Sequence, residues 1–204
     1  MLWRHGQTAW NLQRRYQGST DVPLDEVGVE QANRGARLLA ALRPAMLVSS
    51  PLLRARASAG ALAEVTDLEV IVDDRLVERG GGAWEGLTDA EIRSRFPSEY
   101  AVWQPADGET PEQVEKRVVA AVEDALSELP DQAVLVVASH GAAIRFGLAG
   151  LLEMPQEYVD RLGPLGNCSW SLLERVPYGR LRGGWRVAEH NAGTLPTQVL
   201  SDDH

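Results

Sequence analysis

Ala133-Val134-Leu135-Val136-Val137-Ala138-Ser139-His140-Gly141 is the stretch whose reading decides the fold. Its first six residues are apolar, rich in valine, and show no alternation, as a strand covered on both faces requires. The run stops at Ser-His-Gly and passes into a helical pattern near Ala142 to Leu152. A strand of this kind belongs inside a largely parallel sheet with helices on either side.

Working outward, two other segments repeat the layout of apolar strand, sharp turn and helix: Leu2-Trp3-Arg4-His5-Gly6, and Met46 to Ser50 followed by Pro51-Leu52-Leu53-Arg54. Between them, Glu26 to Leu42 carries helical periodicity that Pro44 stops. After Pro51 come an alanine-rich helix, a short strand from Glu69 to Val72 and a glycine-rich loop at Gly80 to Gly82. Thr110 is placed to cap a long helix starting at Pro111, whose Val114, Val118, Val122, Leu126 and Leu129 share one face; Pro130 ends it. Strands near Cys168 to Glu174 and Trp185 to His190 read as a hairpin around Tyr178-Gly179, and the tail after Thr194 reads as loose. The strand feeding His5 starts so close to Met1 that either the chain begins upstream or the strand is short. The expected fold is a three-layer α/β/α sandwich with a mostly parallel central sheet, formed as one domain over residues 1–204.

Composition narrows the functional classes. Of the 204 residues, 44% are hydrophobic and 24% charged, the balance of a globular chain, with no apolar run of about eighteen residues and no basic-then-apolar leader. Membrane partners are not expected. The one cysteine, Cys168, has no partner for an internal disulfide, so a reducing compartment, the cytoplasm, is the expectation. A net charge of −9 repels nucleic acid over most of the surface, and an anionic substrate needs a local basic pocket.

The three turns supply such a pocket. Carboxyl ends of strands in an open α/β sheet converge on one crevice, which gathers Arg4, His5, Arg54 and His140. Two guanidiniums aimed at one point clamp phosphate, because each planar fork donates parallel hydrogen bonds. Beside that clamp a neutral imidazole is a competent nucleophile toward phosphorus, provided its other ring N–H is tied to an acceptor. The second imidazole, when protonated, steadies charge on the equatorial oxygens. An alkoxide leaving group needs a proton, and Glu78, after Leu76-Val77 and before Arg79-Gly80-Gly81-Gly82, is the candidate acid. Asn11 and Gln17 add neutral donors.

In order along the first three quarters of the chain, these pieces resemble the histidine phosphatase superfamily, which includes the phosphoglycerate mutases. The likeness rests on Arg4-His5-Gly6 with Thr8 and Asn11, Gln17-Gly18, Asp21-Val22-Pro23-Leu24, Gly28, Gln31-Ala32, Ser49-Ser50-Pro51 with Arg54-Ala55, Glu78 with Trp84-Glu85-Gly86, and Ser139-His140-Gly141. The resemblance implies a phosphoglycerate mutase-like fold, His5 as the phosphorylated nucleophile, Arg4, Arg54 and His140 around the phosphate, and Glu78 as proton donor. It extends the substrate contacts to Asn11, Gln17, Gly18 and Gly141, requires neither cofactor nor metal, and allows a homodimer. Mutases of the family are longer, with an insertion after the acid that covers the site. Here a short stretch separates Trp84-Glu85-Gly86 from Asp107-Gly108-Glu109-Thr110, which favours a more open pocket and hydrolysis over transfer. The last quarter, with Gly166-Asn167-Cys168-Ser169-Trp170 and Trp185-Arg186-Val187, is similar to actinobacterial members of the phosphatase branch that act on small sugar or glycerate phosphates, glucosyl-phosphoglycerate among them. Trp3 departs from the aliphatic residue usual before the arginine, so its bulk is expected to alter packing beneath His5.

Rival readings remain on the sequence. Val137-Ala138-Ser139-His140-Gly141 sits where a nucleophile elbow would, though with Val in place of Gly, making Ser139 a hydrolase nucleophile and leaving the arginines without a purpose. His5, His140 and Glu78 could supply zinc ligands. A phosphomutase, or a binder that lost turnover, is also compatible with the clamp. Glu85 and Glu109 compete with Glu78 for the acid role, Trp84 lies near the site motif, and Arg14 and Arg15 are either a pocket-mouth pair or a solvated one.

Overall fold

A computed structural model describes residues 1–176 and 183–193. From the amino end the chain runs β1 (Leu2–Arg4), α1 (Ala9–Leu12), α2 (Glu26–Ala40), β2 (Met46–Ser49), α3 (Leu53–Thr66), β3 (Val70–Val72), α4 (Asp89–Arg95), α5 (Pro97–Tyr100), α6 (Pro111–Ser127), β4 (Leu135–Ser139), α7 (Gly141–Leu151), β5 (Trp170–Arg175) and β6 (Trp185–Ala192). The sheet order is β3-β2-β4-β1-β5-β6, parallel through its first four strands, with β5 and β6 antiparallel. The apolar run is central as read, and every residue of β4 is buried. Its neighbour β1 is short, three residues.

Each sheet face carries its own core. On one side α2 and α3 pack through Ala32, Ala36, Leu39, Ala59 and Leu62 against Trp3, Leu47, Val136 and Ala138. On the other, α6 and α7 pack through Val114, Val118, Ile144 and Leu148 against Leu2, Leu135 and Val137. The mixed α/β sheet with helices on both sides is therefore present. Trp3 fits without disturbing the strand: it is fully buried, its indole N–H donates to Cys168 O at 3.2 Å, and a Cβ at Gly35 would stand 3.1 Å from its ring. The missing side chain on α2 makes the room.

Several elements differ from the sequence reading. The short helices α1, α4 and α5 were not anticipated. Two of them begin with reciprocal caps, Thr8 with Asn11 and Thr88 with Glu91, a signal present in the sequence. Cys168 is buried but precedes β5, which starts at Trp170; its φ of 55° turns the chain before the strand starts. The expected turn at Tyr178-Gly179 and the tail after Thr194 lie outside the described residues.

Candidate active site

Register sets the site. The pairs Arg4↔Ser139 on β1 and β4 and Ser49↔Ala138 on β2 and β4 bring three strands to the same level, so the next residues emerge together. The rings of His5 and His140 lie 5.2 Å apart between centroids. Arg54 Nε donates to His140 Nδ1 at 3.2 Å. Arg4 is close enough for its charge to act on both imidazoles. All four side chains are at most 2% exposed.

The hydrogen bonds define both tautomers. His5 Nδ1 lies 2.7 Å from Gly6 O, and since a carbonyl only accepts, Nδ1 carries the proton and Nε2 the lone pair. On His140, Nδ1 accepts from Arg54, so Nε2–H donates to Ser50 Oγ at 2.8 Å. Burial, then the charges of Arg54 and Arg4, hold His5 well below the usual imidazole pKa. Burial, followed by Arg54, His5, Arg4 and Arg117, does the same to His140. Both rings are therefore neutral at physiological pH. The protonated His140 considered from sequence is not the resting form, because its Nδ1 is already an acceptor for a guanidinium.

The arginines are set by backbone carbonyls. Arg54 Nη1 donates to Thr20 O at 2.7 Å and Nη2 to Gly18 O at 2.8 Å, while Arg4 Nη1 donates to Leu165 O. Gly18 has φ +51°, and a Cβ there would fall 2.2 Å from Glu85 Oε1. Glu85 in turn accepts from Ser19 N, Ser19 Oγ, Thr20 N, Thr20 Oγ1 and Gly81 N. Burial pushes its carboxyl up, but the bonds from Thr20, Gly81 and Ser19 together outweigh that and leave its pKa below the usual value.

Glu78 is 7% exposed and is held by three backbone N–H groups: Arg79 and Ala143 on Oε1, both at 2.8 Å, and Ala142 on Oε2 at 3.2 Å. The amino end of α7 thus carries His140 and Gly141 and orients this carboxylate. Asn11 and Gln17 are buried alongside. Asn11 Oδ1 accepts from Thr8 N and Thr8 Oγ1, and Gln17 Oε1 accepts from Thr8 Oγ1.

The rival side chains Ser139 and Glu109 are engaged elsewhere. Ser139 Oγ donates its hydrogen to Leu76 O at 2.8 Å. Glu109 is bound by Arg117 and Gly80 N; burial raises its pKa, but Arg117 and the Gly80 N–H bring it below normal. Trp84 packs edge-on to Tyr16 and Trp103 as core. Arg15 donates to Gly86 O, while Arg14 is exposed. Among the described residues no three His, Cys, Asp or Glu side chains form a metal-holding group.

Sequence reasoning missed Ser50, which fixes His140, and Asn167, whose amide donates to His5 O at 3.3 Å and Asn11 Oδ1 at 3.1 Å. Ser50 stood inside the Ser49-Ser50-Pro51 motif. Asn167 had no local signal, since its partners are far away in the chain.

The profile of the histidine phosphatase superfamily (branch 1) matches residues 1–192. A glucosyl-3-phosphoglycerate phosphatase of Mycobacterium tuberculosis is 38% identical over 99% of this chain and 96% of its own length. A protein of Enterobacter named "Probable phosphoglycerate mutase GpmB" is 33% identical over 91% of this chain and 89% of its own. Among solved structures, mycobacterial glucosyl-3-phosphoglycerate phosphatase with VO3 superposes with a TM-score of 0.87 at 35% identity, covering 94% of this chain and 98% of that one. The protein is a phosphohydrolase. It belongs to the histidine phosphatase superfamily, whose chemistry runs through a phosphohistidine.

Proposed function

We propose that this enzyme hydrolyses a sugar or glycerate phosphate, with glucosyl-3-phosphoglycerate the first substrate to test. The observation that carries the mechanism is the His5 ring, neutral and buried, with Nδ1–H tied to Gly6 O. Its Nε2 attacks phosphorus while the bond from phosphorus to the ester oxygen breaks and Glu78 protonates that oxygen. Arg4, Arg54 and His140 take the phosphoryl oxygens, with Asn11, Gln17, Gly18 and Gly141 around them. An incoming dianion favours a proton on His140, converting it from acceptor to donor. Water then attacks the phosphohistidine, Glu78 receives its proton, and phosphate leaves.

The whole chain acts as one domain, without metal, in the cytoplasm, on a free metabolite and neither a membrane nor nucleic acid; the family analogy allows a homodimer. Supporting this are the net charge of −9, the free buried Cys168, and the absence of any helix long and apolar enough to cross a membrane among the described residues. A phosphate-release screen over sugar phosphates, phosphoglycerates, nucleotides and phosphopeptides, ranked by kcat/KM, should place sugar or glycerate phosphates first. Activity should survive exhaustive chelation. In His5→Ala, turnover should fall on the order of 10⁴-fold or more with the fold intact. The phosphoglycerate mutase relative gives a second reading, and phosphoryl transfer between positions of phosphoglycerate without phosphate release would establish it instead.

A further inference from the structure

The mechanism asks one carboxyl, Glu78, to give up a proton and later take one back, yet Glu78 stands on irregular chain. A single short turn, Asp74–Leu76, precedes it, and no helix or strand includes residues 77–81. Backbone carbonyls there have no ladder to join and need other donors. They find them in side chains. Leu76 O accepts from Ser139 Oγ, and Arg117 on α6 takes the carbonyls on either side of it. Arg117 Nη1 donates to Arg75 O and Val77 O, both at 2.7 Å, and Nη2 to Glu78 O at 3.1 Å. The rest of the fork goes to Glu109, Nε to Oε1 and Nη2 to Oε2, both at 2.8 Å. Glu109 in turn binds Gly80 in both directions, its Oε2 accepting from Gly80 N and its own N–H donating to Gly80 O, each at 2.9 Å. All five guanidinium N–H groups are thus engaged by one stretch of chain and by the carboxylate that binds its far end. The ion pair by itself would add little; what distinguishes it is the chain it encloses.

Two sets of donors hold Glu78, and they respond differently to its proton. At the carboxylate, the N–H groups of Arg79, Ala142 and Ala143 bind the oxygens. Those bonds are charge-assisted and weaken when the carboxylate is protonated, as the reaction requires. At the backbone, Arg117 binds the Glu78 carbonyl and the chain leading to it, and that hold is the same in both protonation states. A proton donor acts only within ~3 Å of the oxygen it serves, and a misplacement of about 1 Å can cost about 10²-fold in rate. The anchor that survives protonation is the one able to keep the acid within reach.

We infer that Arg117 is a positioning residue for the reaction: by gathering the carbonyls of Arg75, Val77 and Glu78, with Glu109 closing on Gly80, it keeps the Glu78 carboxyl at the leaving-group oxygen through both protonation states. This rests on the phosphatase reading, with Glu78 as proton donor, and adds to it a residue that acts through Glu78 rather than on the phosphoryl group.

Leaving groups separate positioning of the acid from plain support of the fold. Turnover of an alkyl ester, the sugar or glycerate phosphate that ranks first in the substrate screen, needs the acid, whereas p-nitrophenyl phosphate needs it little. R117K loses the fork but keeps the charge, which acts on His140. It should lower kcat for the alkyl ester by about tenfold or more and for p-nitrophenyl phosphate by less than about threefold, with both KM values near those of the wild type. R117Q should show the same split, enlarged. In an E78Q background R117K should cost the alkyl ester less than about threefold further, because the acid it positions is gone. Equal losses for the two esters, no loss for either, an undiminished loss in the E78Q background, or failure of both variants to fold would each overturn the proposal; R117K decides should R117Q alone unfold. E78Q by itself tests the reading underneath. If E78Q does not separate the two esters, or if the wild type releases no phosphate from the alkyl ester, that reading falls and the role of Arg117 with it; if E78Q separates them and R117K does not, the role of Arg117 falls alone.

Discussion

At the carboxyl ends of β1, β2 and β4 the chain buries Arg4, His5, Ser50, Arg54, Ser139 and His140, none more than 2% exposed. At the amino ends of the same sheet Leu2 and Leu135 join Val122, Leu126, Leu151 and Trp185 around an apolar cavity. Burying charged and polar groups is costly unless each finds a partner, and the backbone carbonyls of Gly18, Thr20 and Leu165 and the Arg54–His140 hydrogen bond are among the partners found here. The apolar end and the two helical layers must supply the stability that the polar end spends. Stability and chemistry are thereby separated along one sheet, and substitutions at the two ends should have separable effects.

The largest separable effect is expected at Glu78. Glu78→Gln should lower kcat for an alkyl phosphate by about 10²- to 10⁴-fold. The loss should be much smaller for p-nitrophenyl phosphate, whose leaving group needs little protonation, and stopped-flow comparison of the two esters checks this. Equal losses would mean that Glu78 only holds the pocket together. At the other end, Leu135→Ala should cost about 2–5 kcal/mol of unfolding free energy by urea titration while kcat/KM of the folded protein stays as in the wild type. A large kinetic defect there would erase the distinction between the ends.

Smaller still is the pH dependence. Both His5 and His140 have pKa values lowered chiefly by burial. Below about pH 6.5 the unfolded chain binds protons that the native imidazoles refuse, so unfolding is favoured as pH falls and stability is regained as pH rises to that value. Each histidine contributes a slope of up to about 1.4 kcal/mol per pH unit in that window. Urea midpoints between pH 5.5 and 7 should show this slope, reduced in His140→Asn. Stability that rises on acidification would show that the rings are charged in the native state.

The polar end was legible because its parts sit in short local patterns. An apolar run followed by Arg-His-Gly or Ser-His-Gly announces a strand end, and the parallel register of β1, β2 and β4 does the rest. Glu78 was picked out by its place between Leu76-Val77 and the glycine-rich loop and supported by the family resemblance, but nothing local says that Glu85 pins residues 19 and 20 or that Glu109 binds Arg117. The carbonyls of Gly18, Thr20 and Leu165 that hold the arginines were invisible for a different reason: a backbone oxygen acts through chain path, whatever side chain it carries. Helices α4 and α5 escaped because they are short and their shared apolar contact is aromatic, with Trp84 and Trp103, rather than a periodic stripe.

The central claim is that the phosphoryl group passes through Nε2 of His5. Rapid acid-free quenching during turnover of a ³²P-labelled ester, followed by peptide mapping, should find base-stable, acid-labile phosphate on His5 in the wild type and none in His5→Ala. Label on another residue, or multiple turnovers with no phosphoenzyme even in a Glu78→Gln background that slows its hydrolysis, would contradict the account.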